Sequence, residues 1–204
     1  MEMGALAPRL KYALAMTLTF DETRALPEGE TPYPSRLFYA LWPDAQTAKQ
    51  LAVVQKGLAG RHTHPNDMHL TLAFVGIQPN GNLPVLRAIL RDLTLPAVFQ
   101  LTLTELNSFS NIKVSWAGPA AVPPALDEIW RRLGDALNKH EIWWDKKIPF
   151  RPHVTLARKV AVDWQLLANP INWKANKVVL AGSVPGAIPG GGGKYRILAE
   201  RELK

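Results

Sequence analysis

A short alternating pattern occurs twice in this chain, as His69-Leu70-Thr71-Leu72 and as His153-Val154-Thr155-Leu156. A period of two belongs to a β-strand, because successive side chains leave a pleated backbone on opposite faces. Each copy therefore predicts a strand that buries Leu70 and Leu72, or Val154 and Leu156. The opposite face of each strand carries an imidazole beside a hydroxyl. If those two polar faces meet across a cleft, two imidazoles and two hydroxyls are enough to hydrolyse a phosphodiester without a metal.

Around the two copies the chain divides into short elements. A strand is expected at Leu37–Leu41, then a helix from Pro43-Asp44 to about Leu58, stopped near Gly60. The first motif strand covers Met68–Val75 and ends at Gly76. Asn82 is the expected N-cap of a second helix, which carries Leu86, Ile89, Leu90 and Leu93 on one side. Strands follow at Phe99–Thr104 and Lys113–Trp116, the second as antiparallel neighbour of the first. Pro123 and Pro124 precede a third helix to about Lys139, with Leu126, Ile129, Trp130, Leu133 and Leu137 as its buried stripe. The second motif strand, Arg151–Ala157, follows, and strands near Lys177–Leu180 and Tyr195–Leu198 close the chain around a loop containing Gly190–Gly193. This order lacks the regular βαβ alternation of a doubly wound parallel sheet. It predicts an α+β protein of two similar lobes, the two motif copies lying about half of the folded body apart. Residues 1–34 read as a leader and proline-marked linker outside the body, which spans residues 35–204.

Composition removes several chemistries. With no cysteine among 204 residues, disulfides, cysteine-ligated zinc, iron–sulfur clusters and thiol catalysis are excluded. That absence fits a reducing cytoplasm, which is the expected location. A net charge of +7 points to an anionic partner such as nucleic acid, and no basic run is long enough to form a disordered arm. No apolar stretch approaches the roughly 18 residues that span a bilayer, so no membrane partner is expected. Residues Met1–Phe20 faintly resemble a signal peptide but lack a small-x-small cleavage site.

The runs Arg36-Leu37-Phe38-Tyr39-Ala40, His69–Gly76 (HLTLAFVG) and Phe150–Arg158 (FRPHVTLAR) resemble the 2H phosphoesterase superfamily. Within it, they are similar to the RNA 2′,3′-cyclic phosphodiesterases, also called the 2′-5′ RNA ligase or LigT-like family. The resemblance covers residues 35–204. It implies a bilobal, pseudo-symmetric fold, with two antiparallel-rich sheets flanking a central cleft and helices outside. It also implies hydrolysis of a terminal 2′,3′-cyclic phosphate on RNA to a 2′-phosphomonoester. In that pattern His69 matches the proton donor, His153 the proton acceptor, and Thr71 and Thr155 the hydroxyls that hold phosphate oxygens. Arg158 matches an arginine common in the family.

The residue chemistry agrees with this resemblance. Opening a cyclic phosphate takes a proton from water on one side of phosphorus and gives one to the departing ribose oxygen on the other. Two histidines suit that exchange, because their ordinary pKa near 6.5 makes both protonation states accessible. Arg158 supplies a bidentate cation for the equatorial oxygens, and Arg151 is a second, weaker phosphate or RNA contact. Phe38, Phe150 and Trp116 are candidates to stack a base. No cofactor and no metal are expected, since His62 and His64 read as a turn without a ligand set. The glycine run ending Gly193-Lys194 misses the phosphate-loop pattern, with Ile188 in place of its first glycine and Tyr195 in place of Ser or Thr. The protein is expected to act as a monomer on an RNA or oligonucleotide end. Two further readings stay open: a cyclic phosphodiesterase on small nucleotides or ADP-ribose cyclic phosphate, and a non-catalytic RNA-binding module. The reverse reaction, 2′-5′ joining, is allowed by microscopic reversibility, but abundant water favours hydrolysis.

Overall fold

The computed structural model describes residues 36–79, 81–146, 149–183 and 193–204. The expected leader and Gly190–Gly192 lie outside the described residues. Residues 33–204 form one compact unit, and the account below concerns that unit alone.

Strand β1 (Arg36–Leu41) is buried over its last five residues, so it reads as a continuous apolar run and not as an alternation. Helix α1 (Ala45–Lys56) starts where the Asp44 carboxylate accepts the Thr47 N–H at 2.7 Å, and it ends at Gly57. It is thus slightly shorter than the sequence predicts. A two-residue strand, β2 (Arg61–His62), then pairs with β6 (Val154–Arg158), in a segment expected to be only a turn. A 3₁₀ turn at Pro65–Asp67 leads into β3 (Leu70–Gly76), the first motif strand.

Helix α2 (Asn82–Asp92) begins with Gly81 at the cap position and no side-chain cap. Asn82, the expected cap, instead donates its side-chain amide to the Gln78 Oε1 at 3.0 Å. Strand β4 (Phe99–Phe109) runs five residues past the predicted end and pairs antiparallel with β5 (Val114–Gly118), as expected. Helix α3 (Pro124–Lys139) buries Leu126, Ile129, Leu133 and Leu137 as predicted. Trp130 departs from that stripe and borders a cavity. Strands β7 (Gln165–Ala175), β8 (Lys177–Ser183) and β9 (Tyr195–Glu202) complete the chain.

All strands pair antiparallel in the order β7-β4-β5-β6-β3-β1-β8-β9, with β2 alongside β6. The two motif strands are therefore central neighbours. Their ladder consists of a single register pair, Leu70 with Val154. The sheet is continuous through that pair and otherwise divides into two halves, β3-β1-β8-β9 and β6-β5-β4-β7, the second with the short β2 added beside β6. Each half repeats the same path, strand–helix–motif strand: β1–α1–β3 and β5–α3–β6. The helices pack crosswise. Helix α1 lies against β6 and β7, whereas α3 lies against β3. Gln55 on α1 locks one of these crossings, donating from Nε2 to the Leu156 carbonyl at 2.7 Å.

Leu70, Leu72, Val154 and Leu156 are all buried, as their alternation requires. Burial of each such side chain contributes roughly 1.5–3 kcal/mol. The core thus fixes which face each motif strand presents, and so fixes the direction of its histidine and threonine.

Candidate active site

A cavity of about 960 Å³ is lined by residues from both halves, including His69 and Thr71 from one and His153 and Thr155 from the other. The two histidines are held in the same way. His69 donates from Nδ1 to the Asp67 carbonyl at 2.6 Å, and His153 donates from Nδ1 to the Arg151 carbonyl at 2.7 Å. In both copies the acceptor is the residue two positions earlier. A carbonyl can only accept, so each neutral ring carries its proton on Nδ1 and keeps the lone pair on Nε2. Both Nε2 atoms are left for chemistry in the cavity that the rings line.

The surroundings of the two rings differ. His69 lies between Phe38, stacked at 4.5 Å between centroids, and Trp42, stacked at 5.5 Å, while Tyr195 meets it edge-on at 5.2 Å. Burial among these rings disfavours the imidazolium and pushes His69 down to about 4, against the opposing pull of the Asp67 carbonyl and carboxylate. His153 packs edge-on against Phe109 at 4.9 Å and lies 5.8 Å from Trp116. Burial lowers its pKa also, and the nearby Arg158 guanidinium adds to that effect.

The other expected site residues divide by what their side chains touch. Arg158, at the end of β6, and Arg151, just before it, both line the cavity and are exposed. Arg151 precedes the strand, which begins at Val154, and lines the same cavity as His153 and Thr155. Phe38 lines the cavity, but it is only 3% exposed and its ring is stacked on His69. The face stacked on His69 is therefore not open to a base. Trp116 is likewise buried, packing on Phe109 and His153. Phe150 lines the cavity and stacks on Trp130 at 5.0 Å with ring planes 9° apart. His62 and His64 border the cavity as well. His62 hydrogen-bonds through Nε2 to the Leu58 carbonyl, and His64 accepts the Asn66 N–H. No group of three or more His, Asp or Glu among the described residues is placed to hold a metal ion.

The family described as the 2′-5′ RNA ligase superfamily matches residues 38–181, a span that holds both histidines and both threonines. The chain belongs to the 2′-5′ RNA ligase superfamily. It is 28% identical over 161 residues to an RNA 2′,3′-cyclic phosphodiesterase of Geobacillus stearothermophilus, covering 77% of this chain and 43% of that protein. The chain thus spans less than half the length of that relative. A Thermus thermophilus protein of the same name is 30% identical over 139 residues, covering 62% of this chain and 69% of the relative. Among solved structures, Escherichia coli LigT in complex with NADP+ superposes with a TM-score of 0.69 at 25% identity, covering 84% of this chain and 99% of LigT.

Several cavity residues of this superfamily member escape a reading of the sequence. Tyr195 opens β9 and Phe109 closes β4, and Trp42, which stacks on His69 without lining the cavity, stands one residue past β1. Only the pairing of distant strands brings them to the histidines. Asp67 had a local signal, since it stands two residues before His69 as Arg151 stands two before His153.

Proposed function

We propose that the protein hydrolyses a terminal 2′,3′-cyclic phosphate on RNA to a 2′-phosphomonoester. The observation that carries this reading is the pair of imidazoles from opposite halves, each fixed through Nδ1 to a backbone carbonyl and each lining one cavity with a threonine. Both relatives named above carry the name of this activity.

In this reading His153 Nε2 takes a proton from a water molecule as its oxygen bonds to phosphorus. The bond from phosphorus to the ribose 3′-oxygen breaks, and His69 Nε2 delivers a proton to that oxygen. The phosphate remains on the 2′-oxygen. His153 suits the base role because its lowered pKa keeps it neutral. His69 must be charged to act as acid, and the anionic diester supplies the field that restores its proton. The faces of Phe38 and Trp42 then hold the imidazolium as a cation against aromatic rings. Thr71 and Thr155 donate to the equatorial oxygens, and Arg158 balances the charge that develops there.

Product analysis on an oligonucleotide ending in a 2′,3′-cyclic phosphate tests the proposal. The expected product is a 2′-phosphate end, and His69→Ala and His153→Ala should each lose at least about 10²-fold in rate. Undiminished turnover by both variants would sink the assignment.

A further inference from the structure

The cavity contains a cation whose backbone is fixed with unusual care. Lys194 lines the cavity beside His69, at the start of the segment that becomes β9. Its N–H donates to Asp67 Oδ2 and the Tyr195 N–H donates to Asp67 Oδ1, each at 3.1 Å. Asp67 as a residue is only 5% exposed, so these two backbone donors satisfy its carboxylate where water has little access. The preceding residue must be glycine, because a Cβ on Gly193 would stand 2.2 Å from Asp67 Oδ1. Asp67 thereby works in two directions. Its carbonyl sets the ring of His69, and its carboxylate clamps the chain that carries Lys194.

The side chains above this clamp continue the same assembly. The Tyr195 ring meets His69 edge-on, and the Lys194 ammonium lies 4.8 Å from the centre of the Tyr195 ring. On the other half of the sheet, Arg158 stands beside His153 and its charge is felt there, just as the charge of Lys194 is felt at His69. Each imidazole thus has one cation of its own. In-line displacement at phosphorus spreads negative charge over oxygens between the two histidines, and a single guanidinium on one side answers only part of it.

We propose that Lys194 is a second phosphate-holding cation of this site, the counterpart of Arg158, and that Asp67 is its positioning residue. The proposal rests on the phosphodiester reading of the cavity. A phosphate placed between the histidines takes its charge-assisted contacts from both halves.

Binding of an oligonucleotide with a 2′-phosphate end, titrated by calorimetry at two salt concentrations, tests the assignment. Lys194→Met should weaken binding about tenfold or more and reduce the dependence of log affinity on log salt by about one phosphate contact. Lys194→Arg should keep wild-type affinity within about threefold. Asp67→Asn should reproduce the loss, and adding Lys194→Met to it should cost little more, since the two act through one contact. Lys194 is exposed, so its variants decide the question even if Asp67→Asn folds poorly. Wild-type affinity in Lys194→Met overturns the assignment, as does a wild-type protein that does not bind the probe. Full additivity of the two substitutions overturns the role of Asp67. Hydrolysis of the cyclic end, assayed in parallel on the wild-type protein, reports on the phosphodiesterase reading separately.

Discussion

An imidazole that gives up a proton must first hold one, and the packing around His69 works against this. Phe38, Trp42 and Tyr195 enclose the ring, and burial lowers its pKa to about 4, well under the ordinary 6.5. His153 is lowered as well. In the free enzyme the productive form, one ring charged and one neutral, is therefore most populated on the acid side of pH 6.5. A bound anionic diester favours the charged ring and moves that condition toward neutrality. The optimum of kcat/KM, which reports free enzyme, should lie below that of kcat, which reports the complex. Coincident optima above pH 7 would contradict this account. The same shift has a consequence for stability. The folded pKa of His69 lies below its unfolded value, so the unfolded chain takes up the proton first as pH falls. The stability linked to this group is complete above about pH 6.5 and is lost as pH falls toward 4. Between pH 7 and pH 5 the loss is at most about 2 kcal/mol. Denaturant unfolding at both pH values should show His69→Gln losing less stability than the parent, and equal losses would remove the argument. At this scale, the histidines and threonines are legible in the sequence because one alternating tetrapeptide carries each pair. Lys194 and Tyr195 are not, nor is the carboxylate contact of Asp67 with them, since those hydrogen bonds cross 127 and 128 positions.

Elements are legible to the extent that their own periodicity decides their burial. The stripe Leu126, Ile129, Leu133 and Leu137 on α3 follows helical spacing and is fully buried. Strand β7 is missed for an equally local reason. Pro170 and two asparagines interrupt its pattern, and they are tolerated because β7 is the outer strand of its half and shifts register opposite Leu103–Glu105. Gly134 on α3 shows where element and packing pull in opposite directions. Alanine is the better helix former by about 0.8–1 kcal/mol. A Cβ at this position, however, would meet Trp144 Cζ2 at 2.6 Å and Cη2 at 3.0 Å. That indole is buried and its Nε1 donates to Asn138 Oδ1 at 3.0 Å, so the ring is poorly placed to retreat. Overpacking of this kind costs about 1–3 kcal/mol and outweighs the gain in propensity. Gly134→Ala should therefore destabilise the protein by about 1–2 kcal/mol in denaturant unfolding. A stabilised variant would show that Trp144 yields more readily than its contacts indicate.

At the scale of the molecule, the cavity is a product of pairing between halves. Helix α1 supports the half that holds His153 and α3 supports the strand that follows His69, so the two chemistries are braced by each other's helix. The two-lobed α+β plan is legible from the order of elements and the spaced motifs. The single pair Leu70–Val154 that joins the sheet is not, because no periodicity within either strand sets the register between them. The charge of the whole chain, +7, also acquires a location: Arg36, Arg61, Arg151, Arg158 and Lys194 all border this one cavity. Such a lining should draw in a polyanion and make its capture depend on salt. Each phosphate contacted on a single strand contributes about 0.7 to the slope of log affinity against log salt. An oligonucleotide that engages three or four of these cations should thus show a kcat/KM slope of about −2 to −3. A mononucleotide 2′,3′-cyclic phosphate, with one phosphate to offer, should show a slope near −0.7. Measuring kcat/KM for both substrates from low to high salt separates an enzyme built for RNA ends from one built for small nucleotides. Equal shallow slopes would show that the cationic lining meets only the terminal phosphate.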